Sequence, residues 1–230
     1  MKQLPLYGLI SLVLLGLLVY TYPPINRLMA QERTPPKPFP TIEAAVQKAQ
    51  ADLVEVLTTV PDVNLGLKPE PVKAARPGKP IPILMVDFEQ LLDADTSTLL
   101  QDIARSEDQV IVPLRQREQP VTVIRLAQVE SGWDIAGLGD GSLTRDLTEL
   151  PAKLLQNQPL RLYHIPNLTM VVFAAETRQG PVYFSRLGGE QSLRKLLSPA
   201  DLMAQLVPAA RRFEREFGDL LRKDARGLVD

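Results

Sequence analysis

Hydrophobic residues follow three different patterns along this chain. An uncharged apolar run comes first, a helical repeat of apolar positions comes second, and short alternating runs follow from Ile81 onward. Proline is concentrated in the two stretches that separate these patterns. The pattern therefore predicts a short tail at 1–3, a transmembrane helix at 4–22, a Pro-rich linker at 23–40, an amphipathic helix at 41–60, a Pro-rich connection at 61–80 and an α+β domain at 81–230.

The run from Leu4 to Tyr22 is long enough to cross a bilayer. As a helix it spans roughly 28 Å, close to the hydrocarbon thickness of a membrane. A cleaved signal peptide is the alternative, because Lys2 precedes the run and Leu28-Met29-Ala30 resembles a cleavage site. The length of the run and the poor fit of Leu28 to the minus-three position favour a retained signal anchor over a cleaved, secreted protein.

The charges that flank this run give conflicting indications of its orientation. Lys2 lies on one side, whereas Arg27, Arg33 and Lys37 lie on the other, and this count does not favour export of the C-terminal part. An apolar run that starts at residue 4 after a single Lys is nevertheless typical of a bacterial export signal. We expect a single-pass membrane protein whose domain lies on the extracytoplasmic, periplasmic side of a cell envelope.

The proline residues predict two extended connections. Of the 21 prolines, six fall between Pro23 and Pro40 and six more between Pro61 and Pro82. Proline fixes φ and lacks the backbone N–H, so the first stretch favours extended polyproline-like chain, which serves as a semi-rigid stalk. The second stretch indicates either a break between the helix of 41–60 and the core, or a loop that crosses the domain surface.

Residues 41–60 carry the clearest helical repeat. Their apolar positions are spaced alternately by four and three, and Thr41 stands where an N-cap is favoured: Ile42, Val46, Ala49, Leu53, Val56 and Val60. This spacing also suits a coiled-coil seam, but it covers fewer than three heptads. We expect the helix to pack on its own domain.

From residue 81 onward the chain alternates between short strands and short helices. Tight turns such as Glu130-Ser131-Gly132 allow only antiparallel pairing, which predicts a mainly antiparallel sheet with helices on one side, an α+β fold. We predict that Ser142 caps a helix and that Pro208 interrupts another. The predicted strands are 83–88, 110–114, 121–129, 133–138, 160–165, 168–175 and 182–187, and the predicted helices are 91–104, 143–155 and the C-terminal stretch from 199 to 221.

Composition and charge exclude several classes of function. The chain has no cysteine and one histidine, so thiolate metal sites, iron–sulfur clusters and cysteine nucleophiles are excluded. The formal net charge of −1 gives no reason to expect nucleic acid as a partner. No metal and no cofactor are expected. His164, the only histidine, lies in no recognisable triad or zinc motif, and the sequence predicts no enzyme.

Two stretches resemble ligand sites. Asp93 to Ser97 begins like a calcium loop, but Thr98 stands where that loop requires glycine. The glycine-rich turn before the predicted helix of 143–155 offers backbone amides to an anion, which marks Gly139, Gly141 and Ser142 as weak candidates. Its spacing matches neither a P-loop nor a dinucleotide fingerprint, and helix capping explains the same residues.

Four aromatic residues on neighbouring predicted strands are weak candidates for a ligand cleft, although such residues more often fill a core: Trp133, Tyr163, Phe173 and Tyr183. The run from Val121 to Leu138, with the helix and hairpin that follow, resembles sheet modules of bacterial envelope proteins, and this resemblance brings no functional motif. We therefore expect a membrane-anchored, non-enzymatic protein that binds a protein partner or assists a membrane complex. The alternative is a small-ligand binder with an aromatic-lined cleft.

Overall fold

The computed structural model describes residues 37–60, 65–151, 154, 158–186, 193 and 195–227, with side chains up to Leu220. The predicted tail of 1–3, the span of 4–22 and the linker up to residue 36 lie outside this part of the chain. Among the described residues, no helix combines the length and the apolar character needed to cross a bilayer. One compact unit extends over Pro38–Asp230.

One sheet of eight strands forms the centre of the described structure, and its order along one path is β5-β4-β3-β2-β6-β7-β8, with β1 paired to β3. The pairing is antiparallel except between β2 and β6, which are parallel. The predicted α+β fold with a mainly antiparallel sheet is therefore confirmed. The strands are β1 (Arg76–Pro77), β2 (Ile81–Val86), β3 (Ala104–Gln116), β4 (Gln119–Val129), β5 (Gly132–Leu138), β6 (Leu160–Ile165), β7 (Met170–Thr177) and β8 (Gly180–Phe184).

Five α-helices with described ends accompany the sheet. They are α1 (Ile42–Thr59), α2 (Pro69–Ala74), α3 (Phe88–Asp93), α4 (Gly141–Glu149) and α5 (Pro199–Gly227). Thr41 caps α1, because its side-chain oxygen accepts a hydrogen bond from the backbone N–H of Ala44 at 3.2 Å. The first helix therefore begins where the sequence places its cap.

The helix α1 packs on the sheet of its own domain. Its residues Val46, Ala49 and Leu53 are buried in a core that includes Val112 and Ile124 of the sheet. The connection after α1 packs here too, since the side-chain amide of Gln50 donates to two carbonyl groups at the end of α2. Residues 65–80 therefore contain α2 and β1 and belong to the same core as the domain expected at 81–230.

The prediction of a helix over 91–104 is wrong. Helix α3 ends at Asp93, a 3-10 helix covers Leu100–Ile103, and β3 begins directly after it. Between the two helices, the carboxylate of Asp95 accepts bonds from the backbone N–H and the hydroxyl of Ser97 at 2.8 and 2.6 Å. These local bonds replace the helical bonds of this polar stretch.

Pro113 lies inside the long central strand β3 (Ala104–Gln116). The sequence predicted a strand only over 110–114. The pairing of β2 with β3 ends at Ile111. Pro113 therefore has no pairing partner in β2. The carbonyl of Pro113 accepts instead from the N–H of Gly78 at 2.7 Å. A proline is tolerated because Pro113 lies between the residues of β3 that pair with β2, up to Ile111, and those that pair with β1, from Leu114 onward.

Helices cover both faces of the sheet, whereas the sequence predicted helices on one side only. Ile83, Leu162 and Phe173 share a core with α4. Tyr163 and Val172, which alternate with these positions along their strands, share a core with α5 on the opposite face. On that second face α1 covers the part of the sheet formed by β3, β4 and β5.

The C-terminal helix continues through Pro208 without the predicted interruption. The surrounding turns are held by contacts to the sheet, since Leu206, Val207 and Ala210 are buried while Pro208 faces outward. Tertiary packing thus outweighs the hydrogen bond that proline removes from the helix.

Candidate functional site

A group of charged side chains lines a cleft beside α4, here called the charged cleft. Its volume is about 630 Å³. Ile83, Leu143 and Leu162 give it an apolar floor. Eight ionisable side chains surround that floor: Glu107, Arg125, Asp140, Arg145, Asp146, Glu149, His164 and Arg186.

The guanidinium group of Arg186 lies at one end of the charged cleft, where it bonds to two carboxylates. Nε and Nη2 of Arg186 donate to Oδ1 of Asp146 at 3.1 and 2.8 Å, and Nη2 also donates to Oε1 of Glu149 at 2.9 Å. These hydrogen bonds, first with Asp146 and then with Glu149, raise the pKa of Arg186. Glu149 also accepts from the backbone N–H of Leu193 at 3.0 Å. The arrangement joins two distant parts of the chain.

The start of α4 forms the other end of the charged cleft. Asp140 caps the helix, since its Oδ1 accepts from the N–H of Leu143 at 3.0 Å, and Ser142 is not the cap that the sequence predicted. Gly139 supplies the left-handed backbone before the cap, with φ of +74°. The three candidates for anion binding, Gly139, Gly141 and Ser142, therefore surround a carboxylate. That carboxylate disfavours a second negative charge at the same helix end.

His164 lies on β6 and lines the charged cleft. Ser142 lines the same cleft, but among the described residues no hydrogen bond joins His164 to a nucleophile or to a carboxylate. Within the same part of the chain, no group of three or more His, Cys, Asp or Glu residues is arranged to hold a metal ion. Asp95, from the calcium-like stretch, has its pKa lowered by hydrogen bonds from Ser97.

The structure does not bring the four candidate aromatic residues into one cleft. Tyr163 and Tyr183 are neighbours in the core under α5, where their ring centroids are 6.4 Å apart. Phe173 is fully buried on the opposite face of the sheet, and Trp133 packs on the core under α1. These side chains therefore fill three separate parts of the core.

A second depression, here called the α5 groove, lies between α5 and the segment 167–170 and has a volume of about 730 Å³. Its apolar walls include Leu168, Met170, Phe213 and Phe217. Phe213 is anchored by an edge-to-face contact with Phe88, with ring centroids 5.7 Å apart, and Phe217 lies 5.2 Å from Phe213. After Phe217, Asp219 and Leu220 are exposed.

Sequence reasoning missed the arginine residues of the charged cleft. Arg186 and Asp146 are 40 positions apart, and no local motif links them. Arg125 lies on a strand and is 3.6 Å from Asp140, with no spacing that marks it as the partner of a helix cap. Only the folding of β4 and β8 beside α4 brings these charges together.

Comparison of the chain with protein-family models, with curated proteins and with solved structures finds no significant match.

Proposed function

We propose that this chain is a membrane-anchored, non-enzymatic protein that binds a protein partner through the C-terminal half of α5. The observation that carries the proposal is the exposure of large apolar side chains there. Phe217 is 45% exposed and Leu220 is 59% exposed. Contiguous exposed apolar surface of this kind is typical of interaction sites.

The groove beside these side chains suits an amphipathic helix of the partner. Leu168, Met170 and Phe213 supply apolar contacts, while Arg212 and Glu216 lie one turn apart along the groove. Among the described residues neither Arg212 nor Glu216 forms an ion pair. A partner helix with an apolar stripe flanked by one acidic and one basic residue would complement both charges.

Site-specific photo-crosslinking in native membranes tests this proposal. A photoreactive amino acid at position 217 is expected to give a discrete adduct with one partner, because that side chain points into the contact. The matched control carries the same group at position 215, where Arg215 is exposed on the opposite side of α5. Equal labelling at both positions, or no adduct at position 217, would contradict the proposal.

A double substitution tests the same surface by affinity. Phe217→Glu combined with Leu220→Glu is expected to remove the partner from the complex, since it places charges in an apolar contact, while Arg215→Glu leaves the complex intact. Both side chains are exposed and Phe217 loses its ring contact with Phe213, so the free energy of unfolding of the double variant should fall by no more than about 1 kcal/mol. Retention of the partner by the double variant would overturn the assignment of α5.

The anchoring part of the proposal rests on the apolar run of residues 4–22, and it is tested separately. Protease added outside sealed spheroplasts is expected to digest the domain of a C-terminally tagged chain whose mass retains Met1 or Lys2. Protection of the domain would place it on the cytoplasmic side. Loss of the first 30 residues would replace the anchor with a cleaved signal.

A further inference from the structure

A small cleft where residues of four strands meet differs in chemical character from the charged cleft, and we call it the proline cleft. It has a volume of about 190 Å³ and lies between residues that flank β2, β3, β4 and β6. Five prolines shape its walls: Pro80, Pro82, Pro113, Pro120 and Pro159. Proline rings are rigid and apolar, so these walls lose little conformational entropy when a ligand is bound.

All the ionisable side chains that line the proline cleft are cations. They are Lys79, Arg115 and Arg161, and no Asp or Glu is among the described residues that line it. Arg161 reaches Glu176 at 2.9 Å, and Arg115 reaches Glu118 at 3.2 Å, but both carboxylates lie outside the lining. In the described part of the chain Lys79 forms no ion pair. The cleft therefore favours a negatively charged ligand.

Arg115 carries an unused hydrogen-bond donor. Its side chain is only 16% exposed, and its Nε is buried with no hydrogen-bond partner among the described residues. Its Nη2 donates to the carbonyl and the carboxylate of Glu118. A buried N–H of a charged group is costly when it is unpaired, and a guanidinium presents its donors in a fork that matches a carboxylate.

The stem of Arg115 is held in place by the backbone beside it. A Cβ atom on Gly78 would lie 3.0 Å from Cδ of Arg115 and 3.0 Å from Cγ of Pro113. This close approach leaves the side chain little room to turn away. The guanidinium group of Arg115 is therefore held beside the cleft, which lowers the entropic cost of binding an anion there.

The geometry points to a small organic carboxylate as the ligand of the proline cleft. A cavity of about 150 Å³ holds benzene, so the volume here suits an apolar body of about that size. We propose that this body contacts the proline walls while the carboxylate accepts hydrogen bonds from Arg115 and an ion pair from Lys79. An inorganic anion would pair with the cations but would make no apolar contact with the proline side chains.

Isothermal titration of the full chain with benzoate tests this proposal. Benzoate is expected to bind saturably at one site per chain, and benzamide, which has nearly the same shape and no charge, at least about tenfold more weakly. Inorganic phosphate should also bind more weakly than benzoate. No saturable binding of benzoate up to about 10 mM, or equal binding of benzamide, would overturn the proposal.

Three variants locate the site. Arg115→Gln is expected to weaken benzoate binding about tenfold or more, and Lys79→Gln about threefold. Lys73→Gln is the matched control, because Lys73 is exposed on α2 and does not line the cleft. Lys79 is exposed, so its variant remains informative even where loss of Arg115 disturbs folding. Unchanged affinity in the Lys79 and Arg115 variants would refute the site.

The proline cleft and the α5 groove are independent in these experiments. The double variant at Phe217 and Leu220 should bind benzoate with unchanged affinity, because neither residue lines the proline cleft. Failure of one proposal therefore leaves the other intact.

Discussion

Thr122 places a buried hydroxyl on β4. Its side chain is fully buried, and among the described residues its Oγ1 has no hydrogen-bond partner. Thr122→Val keeps the shape and removes the unpaired hydroxyl, so it should raise the free energy of unfolding by about 1 kcal/mol.

Urea denaturation of the full chain checks this expectation for Thr122. Thr122→Ser is the control, because it keeps the hydroxyl and deletes a buried methyl group, and it should lower the free energy of unfolding by about 1 kcal/mol. Destabilisation by the Val variant would mean that the hydroxyl has a partner after all.

We expect Tyr183 to make the stability of the fold depend on alkaline pH. Burial is the main reason that its pKa is raised from 10.0 to about 12, and burial also raises the pKa of Tyr163. A raised pKa means that the folded state holds its proton more tightly than the unfolded state. The resulting stability is fully present below pH 10 and is lost as the pH rises to about 12.

Absorbance of tyrosinate, followed together with circular dichroism, measures this effect. Tyr183→Phe should remove the last step of ionisation and shift alkaline unfolding to higher pH. Ionisation of every tyrosine by about pH 10, with the sheet still folded, would show that burial does not protect the hydroxyl of Tyr183.

At the scale of elements, the start of α4 depends on one carboxylate. Asp140→Ala removes the acceptor of the Leu143 N–H and should destabilise the domain by about 1 kcal/mol. Asp140→Asn keeps an oxygen atom that can cap the helix, so it should destabilise the domain less than Asp140→Ala does. Ser142→Ala should have almost no effect, since Ser142 is exposed and does not cap the helix.

Thermal unfolding of these three variants shows whether Asp140 or Ser142 caps α4. A larger loss from Ser142→Ala than from Asp140→Ala would restore Ser142 to the role that the sequence predicted for it. Asp140→Asn separates the cap from the contact of Asp140 with Arg125, because asparagine keeps an oxygen acceptor and removes the charge.

At the scale of the whole molecule, Arg186 links the end of the sheet to α4. The side chain of Asp146 is only 11% exposed, so removing its partner leaves a largely buried charge uncompensated. Because Arg186 itself is 35% exposed, we expect Arg186→Met to cost about 2 kcal/mol, below the cost of breaking a fully buried pair.

A double-mutant cycle with Asp146→Asn measures this coupling. The Asn variant removes the charge that Arg186 neutralises, so Arg186→Met should cost less in that background. Strict additivity of the two changes in urea denaturation would mean that the pair contributes no coupling energy.

The strands that lie next to each other in the sequence were predictable, because their turns are short. The hairpins of β4 with β5 and of β6 with β7 follow from alternating residues and local turn signals. The turn at Arg117 and Glu118 was less predictable, because both residues adopt positive φ although neither is glycine. The pairing of β3 with β4 imposes that backbone, and neither residue type favours it.

The sequence by itself determined the features that depend on neighbouring residues: the apolar run at 4–22, the proline-rich stretches, the cap of α1 at Thr41 and the antiparallel character of the sheet. Tertiary structure alone decided the parallel pairing of β2 with β6, the burial of helices on both faces and the continuity of α5 through Pro208. It also separated the four aromatic residues and brought Arg115 beside Lys79 and five prolines. The physical reason is the separation of interacting residues along the sequence. Caps and turns depend on residues a few positions apart, whereas the two faces of the sheet, the clefts and the ion pairs join positions far apart in the chain.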